Sequence, residues 1–84
     1  MKYQLKIIPK AAKDLDELGG HNSDSVKKKI LLLGENPRPF GSQKLAADEG
    51  YRIRAGDFRI LYRIDDRAKE VIIYRVKHRR EAYR

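Results

Sequence analysis

The sequence predicts an α+β domain in which a hairpin of two helices packs on a mainly antiparallel, four-stranded sheet. Three observations lead to this fold class. Apolar residues recur at helical spacing between residues 9 and 33, they alternate with polar ones from residue 51 onward, and turn residues separate the last three strands. The predicted order is β-α-α-β-β-β, and 84 residues leave room for a single domain, 1–84.

The N-terminal segment predicts one strand followed by a short helix. Residues 2–8 alternate, and the apolar side of this strand comprises Tyr3, Leu5 and Ile7. Pro9 suits a first helical position because its fixed φ is already helical and no intrahelical hydrogen bond is lost there. The next apolar residues share one helix face: Ala11, Leu15 and Leu18. Gly19 and Gly20 end this helix.

A second helix and a loop follow. The residues able to cap this helix are Asn22, Ser23 and Asp24. Its buried stripe comprises Val26, Ile30 and Leu33. Residues 34–39 end the helix, and two prolines and a glycine make residues 37–50 a loop. A short irregular strand at residues 44–45 is an open alternative for this segment.

The C-terminal half predicts three strands joined by hairpins. Residues 51–55 and 58–64 alternate, with Leu61 on the side of Arg59 and Arg63, and flank a tight turn at Gly56 and Asp57. In the second of these strands we expect one face to meet the helices: Phe58, Ile60, Tyr62 and Ile64. The last strand, residues 70–77, is apolar on both faces at first, which leaves its parity open. The tail, residues 78–84, is basic and either irregular or a short helix.

The charge of the chain indicates a polyanionic ligand. Lysine and arginine total 20 against 12 acidic residues, a formal net charge of +8. Up to residue 42, seven of the eight basic residues are lysine, whereas from residue 43 onward nine of twelve are arginine. Because a guanidinium presents a planar set of donors that matches phosphate, this bias favours phosphate recognition by the C-terminal half.

The residue composition argues against disulfide-bonded, metal-binding and membrane proteins. There is no cysteine, hence no disulfide and no thiolate metal site, and this favours the cytoplasm. The two histidines, His21 and His78, have no carboxylates at ligand spacing, so we expect no metal and no cofactor. The longest purely aliphatic run, residues 30–33, is too short to cross a bilayer, and we expect no membrane contact.

A basic patch on one face of the predicted sheet is the candidate site. Arg52 and Arg54 lie two positions apart and share one face of a strand, and Arg59 belongs to the neighbouring strand. Antiparallel pairing can therefore place all three on one face of the sheet. Further candidates for RNA contact are Lys44, Lys77, His78 and Arg80. Because clustered guanidinium groups repel one another, we expect a bound polyanion to stabilise this patch.

RNA cleavage is the chemistry that such a patch can support without a metal or a protein nucleophile. The substrate's own 2′-OH attacks the neighbouring phosphate, so the protein has to orient the reactants, stabilise charge and move protons. We expect the arginines to hold the phosphate: Arg52, Arg54, Arg59 and Arg79. Tyr83 or His78 would transfer the proton, and the residue pattern leaves that choice open.

Three segments of this half resemble the RelE/ParE toxin superfamily. They read KL at 44–45, YRIRAGDFRILYRI at 51–64 and VKHRREAY at 76–83. The resemblance implies a microbial-ribonuclease-like RelE fold and neutralisation by a cognate RelB-like antitoxin in a toxin–antitoxin hetero-oligomer. RelE-type members cut mRNA in the ribosomal A site, whereas ParE-type members inhibit DNA gyrase on the same scaffold. Arg79 and Tyr83 match catalytic positions of the RelE branch, which implies a ribosome-dependent mRNA endoribonuclease.

The same resemblance assigns roles to the strand arginines and shows two departures. Arg52 and Arg54 fall where RelE enzymes hold two basic residues beside the substrate, and Arg59 matches the phosphate-stabilising arginine. Well-known members have lysine at the first two positions, and arginine is a poorer general base. Gln43 replaces the glutamate of another ribonuclease branch and cannot titrate. Two alternatives stay open: a gyrase inhibitor that cuts nothing, and a non-catalytic RNA-binding module.

Overall fold

The computed structural model describes residues 2–46, 50–78 and 80, which form two helices packed against a five-stranded sheet. In chain order the elements are β1 (Gln4–Ile7), α1 (Pro9–Asp16), α2 (Gly20–Glu35), β2 (Gln43–Lys44), β3 (Tyr51–Ala55), β4 (Phe58–Asp65) and β5 (Glu70–His78). The strands lie in the order β1-β5-β4-β3-β2. β1 runs parallel to β5, and every other pair is antiparallel. The predicted α+β class is confirmed.

The predicted count of four strands is wrong by one, because β2 adds a fifth at the edge of the sheet. β2 has two residues and pairs with β3 through Gln43 opposite Arg52 and Lys44 opposite Tyr51. The N–H of Leu45 donates to the carbonyl of Gly50 at 2.8 Å and closes the hairpin between β2 and β3. Two residues are too few for an alternating pattern to reveal a strand.

The helices bury the predicted stripes except for Leu18, which follows the end of α1 and is only partly buried. The predicted cap of α2 is wrong. Gly19 is the N-cap residue, at φ +80°, and no side chain caps the helix. Because glycine adopts this backbone conformation readily, α2 begins directly after Gly19, and the predicted caps at residues 22–24 lie within the helix. Neither helix in the described part of the chain is long and apolar enough to span a membrane.

The core lies between the helices and one face of the sheet. Its buried helical residues are Ala11, Leu15, Val26, Ile30 and Leu33. Its buried strand residues are Ile53, Ala55, Ile60, Tyr62, Val71, Ile73 and Val76. Phe58 and Ile64 are partly buried against this cluster, which confirms the predicted apolar face of β4. The alternate residues of β3 and β4 therefore point to the opposite face of the sheet.

A bulge in β5 explains why its parity is not readable from the sequence. Leu61 pairs with Arg75, but Tyr62 pairs with Ile73, so Tyr74 is an additional residue on the β5 side. Such a residue shifts the alternation of the strand by one position. Ile73 is buried before the bulge and Val76 after it, a spacing of three instead of two.

Helix α1 continues the edge of the sheet where β1 ends. β1 pairs with β5 only as far as Ile73, and the backbone N–H of Val76 donates instead to the Asp14 carboxylate at 2.9 Å. The Nε of Arg75 donates to the same oxygen at 2.8 Å. Burial alone would raise the pKa of Asp14, but the hydrogen bonds from Arg75 and Val76 outweigh it and hold this pKa below its ordinary value.

The segment between α2 and β2 is fixed to the sheet by polar contacts. Arg38 forms an ion pair with Asp66 at 2.8 Å, and its Nε donates to the hydroxyl of Tyr51 at 3.1 Å. Hydrogen bonds from Arg38 and from a tyrosine hydroxyl lower the pKa of Asp66 to about 2. The hydroxyl of Tyr62 donates to the carbonyl of Pro37 at 2.7 Å, and burial raises the pKa of Tyr62 to about 12. These contacts place the residues that follow Arg38 in the chain beside β3.

Candidate nucleic-acid interface

An open cleft of about 220 Å³ lies on the face of the sheet opposite the helices. We call it the arginine cleft, and it is lined by Gly41, Gln43, Arg52, Ile53, Arg54 and Arg59. Three of its six lining residues are arginines, and they come from the two neighbouring strands β3 and β4. The structure therefore brings the predicted residues Arg52, Arg54 and Arg59 together in one cleft.

The strand register brings these arginines together. Arg54 lies directly opposite Arg59 in the β3–β4 pair, and Arg59 lies opposite Lys77 in the β4–β5 pair. Directly opposed residues of antiparallel strands have Cβ atoms only about 4.5–5.5 Å apart, so these three form one row of cations across the sheet. In a second row, Gln43 lies opposite Arg52. The bulge in β5 is what places Lys77 in register with Arg59.

Neutral acceptors hold two of the guanidinium groups in place. The Nε of Arg52 donates to the side-chain oxygen of Gln43 at 2.9 Å. The Nε of Arg54 donates to the carbonyl of Gly56 at 2.9 Å, so the hairpin turn also fixes this side chain. Each of these hydrogen bonds orients a guanidinium and uses one of its five donors. Arg59 is half-buried on the neighbouring strand, while Arg54 is exposed.

The cleft therefore concentrates positive charge on a concave, partly desolvated surface. Like charges gathered on one surface repel one another. A phosphate that accepts hydrogen bonds from two or three guanidinium groups relieves this repulsion. The same donors can stabilise the additional charge of a pentacovalent phosphorus, which is the requirement for phosphodiester cleavage.

The other predicted contact residues are divided between the two faces of the sheet. Lys77 shares the row of Arg59, as described. Lys44 is exposed and lies opposite Tyr51, one position away from the row of Arg52. His78 lies opposite Phe58, and their rings are in edge contact with centroids 5.5 Å apart. The structure therefore places His78 on the side of Phe58 and not in the arginine cleft.

His78 lines a second cleft, on the side of α1. The residues around it are Asp14, Glu17, Leu18, Phe58, Arg75, Val76 and His78. The Nδ1 of His78 accepts the backbone N–H of Arg80 at 3.3 Å, and Arg80 itself is exposed. Arg79 and Tyr83, both predicted as catalytic, lie outside the described residues. His21 is exposed in the first turn of α2.

Three lining residues were not among the predicted site residues: Gly41, Gln43 and Ile53. Gln43 was considered only as a group that cannot titrate, yet its amide oxygen orients Arg52. Gly41 precedes it at φ +96°, in the backbone region that favours glycine. The signal for both would have been a strand at 43–44 paired with β3. Within residues 2–46, 50–78 and 80, no three His, Asp or Glu side chains cluster as a metal site would require.

Comparison with known proteins decides the family. The family described as the ParE toxin of type II toxin–antitoxin systems, parDE, matches residues 5–83. The chain belongs to this family. This match confirms the resemblance of the three segments to the RelE/ParE superfamily. The protein is a toxin of a type II toxin–antitoxin system.

Relatives of this ParE family toxin carry RelE-type names. Toxin RelG of Mycobacterium tuberculosis is 50% identical over 88 residues, covering 100% of this chain and 99% of that protein. Putative toxin RelE1 of Methanocaldococcus jannaschii is 37% identical over 90 residues, covering 100% and 98%. The toxin in the RelBE2 toxin–antitoxin complex of M. tuberculosis superposes with a TM-score of 0.82 at 28% identity, covering 93% of this chain and 99% of that one.

Proposed function

We propose that this toxin is a ribosome-dependent mRNA endoribonuclease that acts in the cytoplasm. The observation that carries the proposal is the arginine cleft, in which Arg52, Arg54 and Arg59 from two strands line one concave surface. The row that continues to Lys77 supplies a track of positive charge for the neighbouring phosphates of a single strand. The RelE names of the two relatives favour this target over others.

The proposed reaction needs no metal ion. The substrate's 2′-OH loses its proton and its oxygen attacks the adjacent phosphorus, while the bond to the 5′-oxygen of the next nucleotide breaks. The products are a 2′,3′-cyclic phosphate and a protonated 5′-OH. Arg52, Arg54, Arg59 and Arg79 bind the phosphate and stabilise the charge that develops, and Tyr83 assists proton transfer or stacks a base. Because arginine stays protonated, the strand arginines serve charge and position, not proton abstraction.

A cognate, RelB-like antitoxin is the second proposed partner, in a hetero-oligomeric complex. The solved M. tuberculosis relative is a toxin bound to its antitoxin. A strongly basic toxin surface is best neutralised by a partner that places acidic groups on it. Antitoxin that covers the arginine cleft would exclude RNA by direct competition.

Primer extension on transcripts, after induced expression and with or without active translation, tests the nuclease proposal. We expect cuts inside coding frames that disappear when translation is blocked. The isolated products should end in a 2′,3′-cyclic phosphate and a 5′-OH. Products with 5′-phosphate ends that require magnesium would contradict the proposed chemistry.

Inhibition of DNA gyrase is the second candidate, and the match to the ParE family model is the observation that favours it. In that case the basic face would bind a protein or protein–DNA complex, and the chain would cut nothing. An induced DNA-damage response with intact transcripts would support this target. Unchanged DNA topology together with cleaved mRNA would argue against gyrase inhibition.

A further inference from the structure

Phe40 is an aromatic side chain that the fold leaves entirely in water. Its relative accessibility is 105%, whereas the other exposed large apolar residues of the described chain reach 37–58%. These others are Ile7, Ile8, Leu31 and Leu32. All four lie on or beside β1 and α2, while Phe40 lies in the loop before β2. Singly exposed apolar residues are common and need no explanation by themselves. The exposure of Phe40 does need an explanation because of where this residue lies.

The backbone on both sides of Phe40 is fixed by contacts. Two residues before it, Arg38 is paired with Asp66 and Tyr51. Immediately after it, Gly41 lines the cleft, and the N–H of Ser42 donates to the carbonyl of Pro39 at 3.0 Å across a tight turn. The ring therefore projects from a fixed turn at the rim of the cleft, and its exposure is not that of a loose loop.

A fixed, solvated aromatic ring beside a phosphate site fits one kind of ligand particularly well. In a single-stranded nucleic acid each phosphate is flanked by a base, so a phosphate held by Arg52, Arg54 and Arg59 brings a base to the rim. Bases of single-stranded RNA stack on phenylalanine rings, and proteins that bind single strands combine such rings with cationic grooves. We propose that Phe40 stacks a nucleobase adjacent to the phosphate bound in the arginine cleft. This inference rests on the proposed function, because it assumes an RNA ligand.

Binding of two matched oligonucleotides tests the stacking contact. One is a short 2′-O-methylated oligoribonucleotide, which cannot be cut by 2′-OH attack, and the other has the same backbone without bases. For the base-bearing strand, Phe40→Ala should weaken binding to the full chain about 5- to 100-fold, the usual range for removing one stacking aromatic. Binding of the abasic strand should not change. Leu32→Ala, another exposed apolar substitution but on α2, should leave both affinities unchanged.

Phe40→Trp gives a direct signal, because the chain contains no other tryptophan. The base-bearing oligonucleotide should quench the fluorescence of this ring, whereas the abasic strand and inorganic polyphosphate should bind without quenching it. Since Phe40 makes no buried contact, both variants should keep the circular dichroism spectrum and melting temperature of the parent chain.

The outcomes separate this inference from the proposed function. If Arg54→Ala weakens both oligonucleotides while Phe40→Ala and Phe40→Trp behave like the parent chain, the cleft binds phosphate and the stacking proposal fails alone. If neither oligonucleotide binds in a way that depends on Arg54, both proposals fall. If Phe40→Ala weakens only the antitoxin complex, Phe40 is a protein contact and base stacking is refuted.

Discussion

Replacing Asp14 by alanine tests how α1 is attached to the edge of the sheet. In the folded chain its carboxylate accepts the backbone N–H of Val76 at 2.9 Å and the Nε and Nη2 of Arg75 at 2.8 and 3.4 Å. The Asp14 side chain is 16% exposed and that of Arg75 is 27% exposed. The substitution leaves a backbone donor and a guanidinium without this acceptor in a mostly desolvated place.

The expected loss of stability follows from these three hydrogen bonds. A hydrogen bond to a charged group contributes about 1.5–3 kcal/mol, and an unsatisfied buried donor costs about 1–3 kcal/mol. Partial access of water to Arg75 reduces the sum, so we expect Asp14→Ala to lower the free energy of unfolding by about 2–4 kcal/mol. A chain of 84 residues has roughly 4–13 kcal/mol in total. The variant should therefore be markedly less stable.

Urea denaturation followed by far-ultraviolet circular dichroism measures the effect. Asp14→Asn keeps one acceptor oxygen and should lose about half as much as Asp14→Ala. Asp16→Ala is the matched control, because Asp16 is an exposed acid on the same helix, and its stability should stay within about 0.5 kcal/mol of the parent chain. Equal losses for Asp14→Ala and Asp16→Ala would refute the proposed attachment.

The same carboxylate makes a pH-dependent contribution of known sign. The pKa of Asp14 in the folded chain lies below its ordinary value of 3.8. The contribution of ionised Asp14 to the free energy of unfolding is therefore complete above pH 3.8. It disappears as the pH falls through the depressed pKa of the folded chain. The stability difference between the parent chain and Asp14→Asn should be constant near neutral pH and shrink below about pH 4. A difference that grows on acidification would contradict the pairing.

Three further substitutions test the site and the segment that positions it. Tyr62→Phe removes a buried hydrogen bond to the Pro37 carbonyl and should lower the unfolding free energy by about 1–2 kcal/mol, measured by urea denaturation. Gly50→Ala should cost more than ~2 kcal/mol, because Gly50 has φ +91° and a Cβ there would overlap the carbonyl oxygen of Tyr62; a melting temperature equal to the parent's would disprove this. Arg59→Ala should reduce RNA cleavage about 10²- to 10³-fold without loss of secondary structure, whereas Arg67→Ala, in the exposed turn before β5, should cleave normally.

The parts of the fold that rest on backbone periodicity were predictable from the sequence. Arg52 and Arg54 had to share one face of β3 because side chains alternate along a strand, and the tight turn at Gly56 brought Arg59 back beside them. The buried stripes of both helices followed from their spacing in the same way.

What could not be predicted depends on contacts between distant residues. The bond from Arg75 to Asp14 spans 61 positions, and no local pattern marks it. Gln43 acquires its role only when β2 pairs with β3, and a two-residue strand has no readable period. The side of the sheet on which His78 lies was hidden for a third reason. The additional residue at the bulge shifts the alternation of every later side chain of β5. The alternating pattern of the sequence does not reveal this residue.

The bulge in β5 also limits how this strand can change during evolution. If β5 kept Tyr74 but paired with β4 without the bulge, regular alternation would make Val76 and Lys77 exchange sides. A cation would then enter the apolar interior while an aliphatic side chain replaced it in the row of Arg59. Individual side chains on the outward surface can therefore diversify toward new targets, but a β5 strand of this length has to keep its bulge.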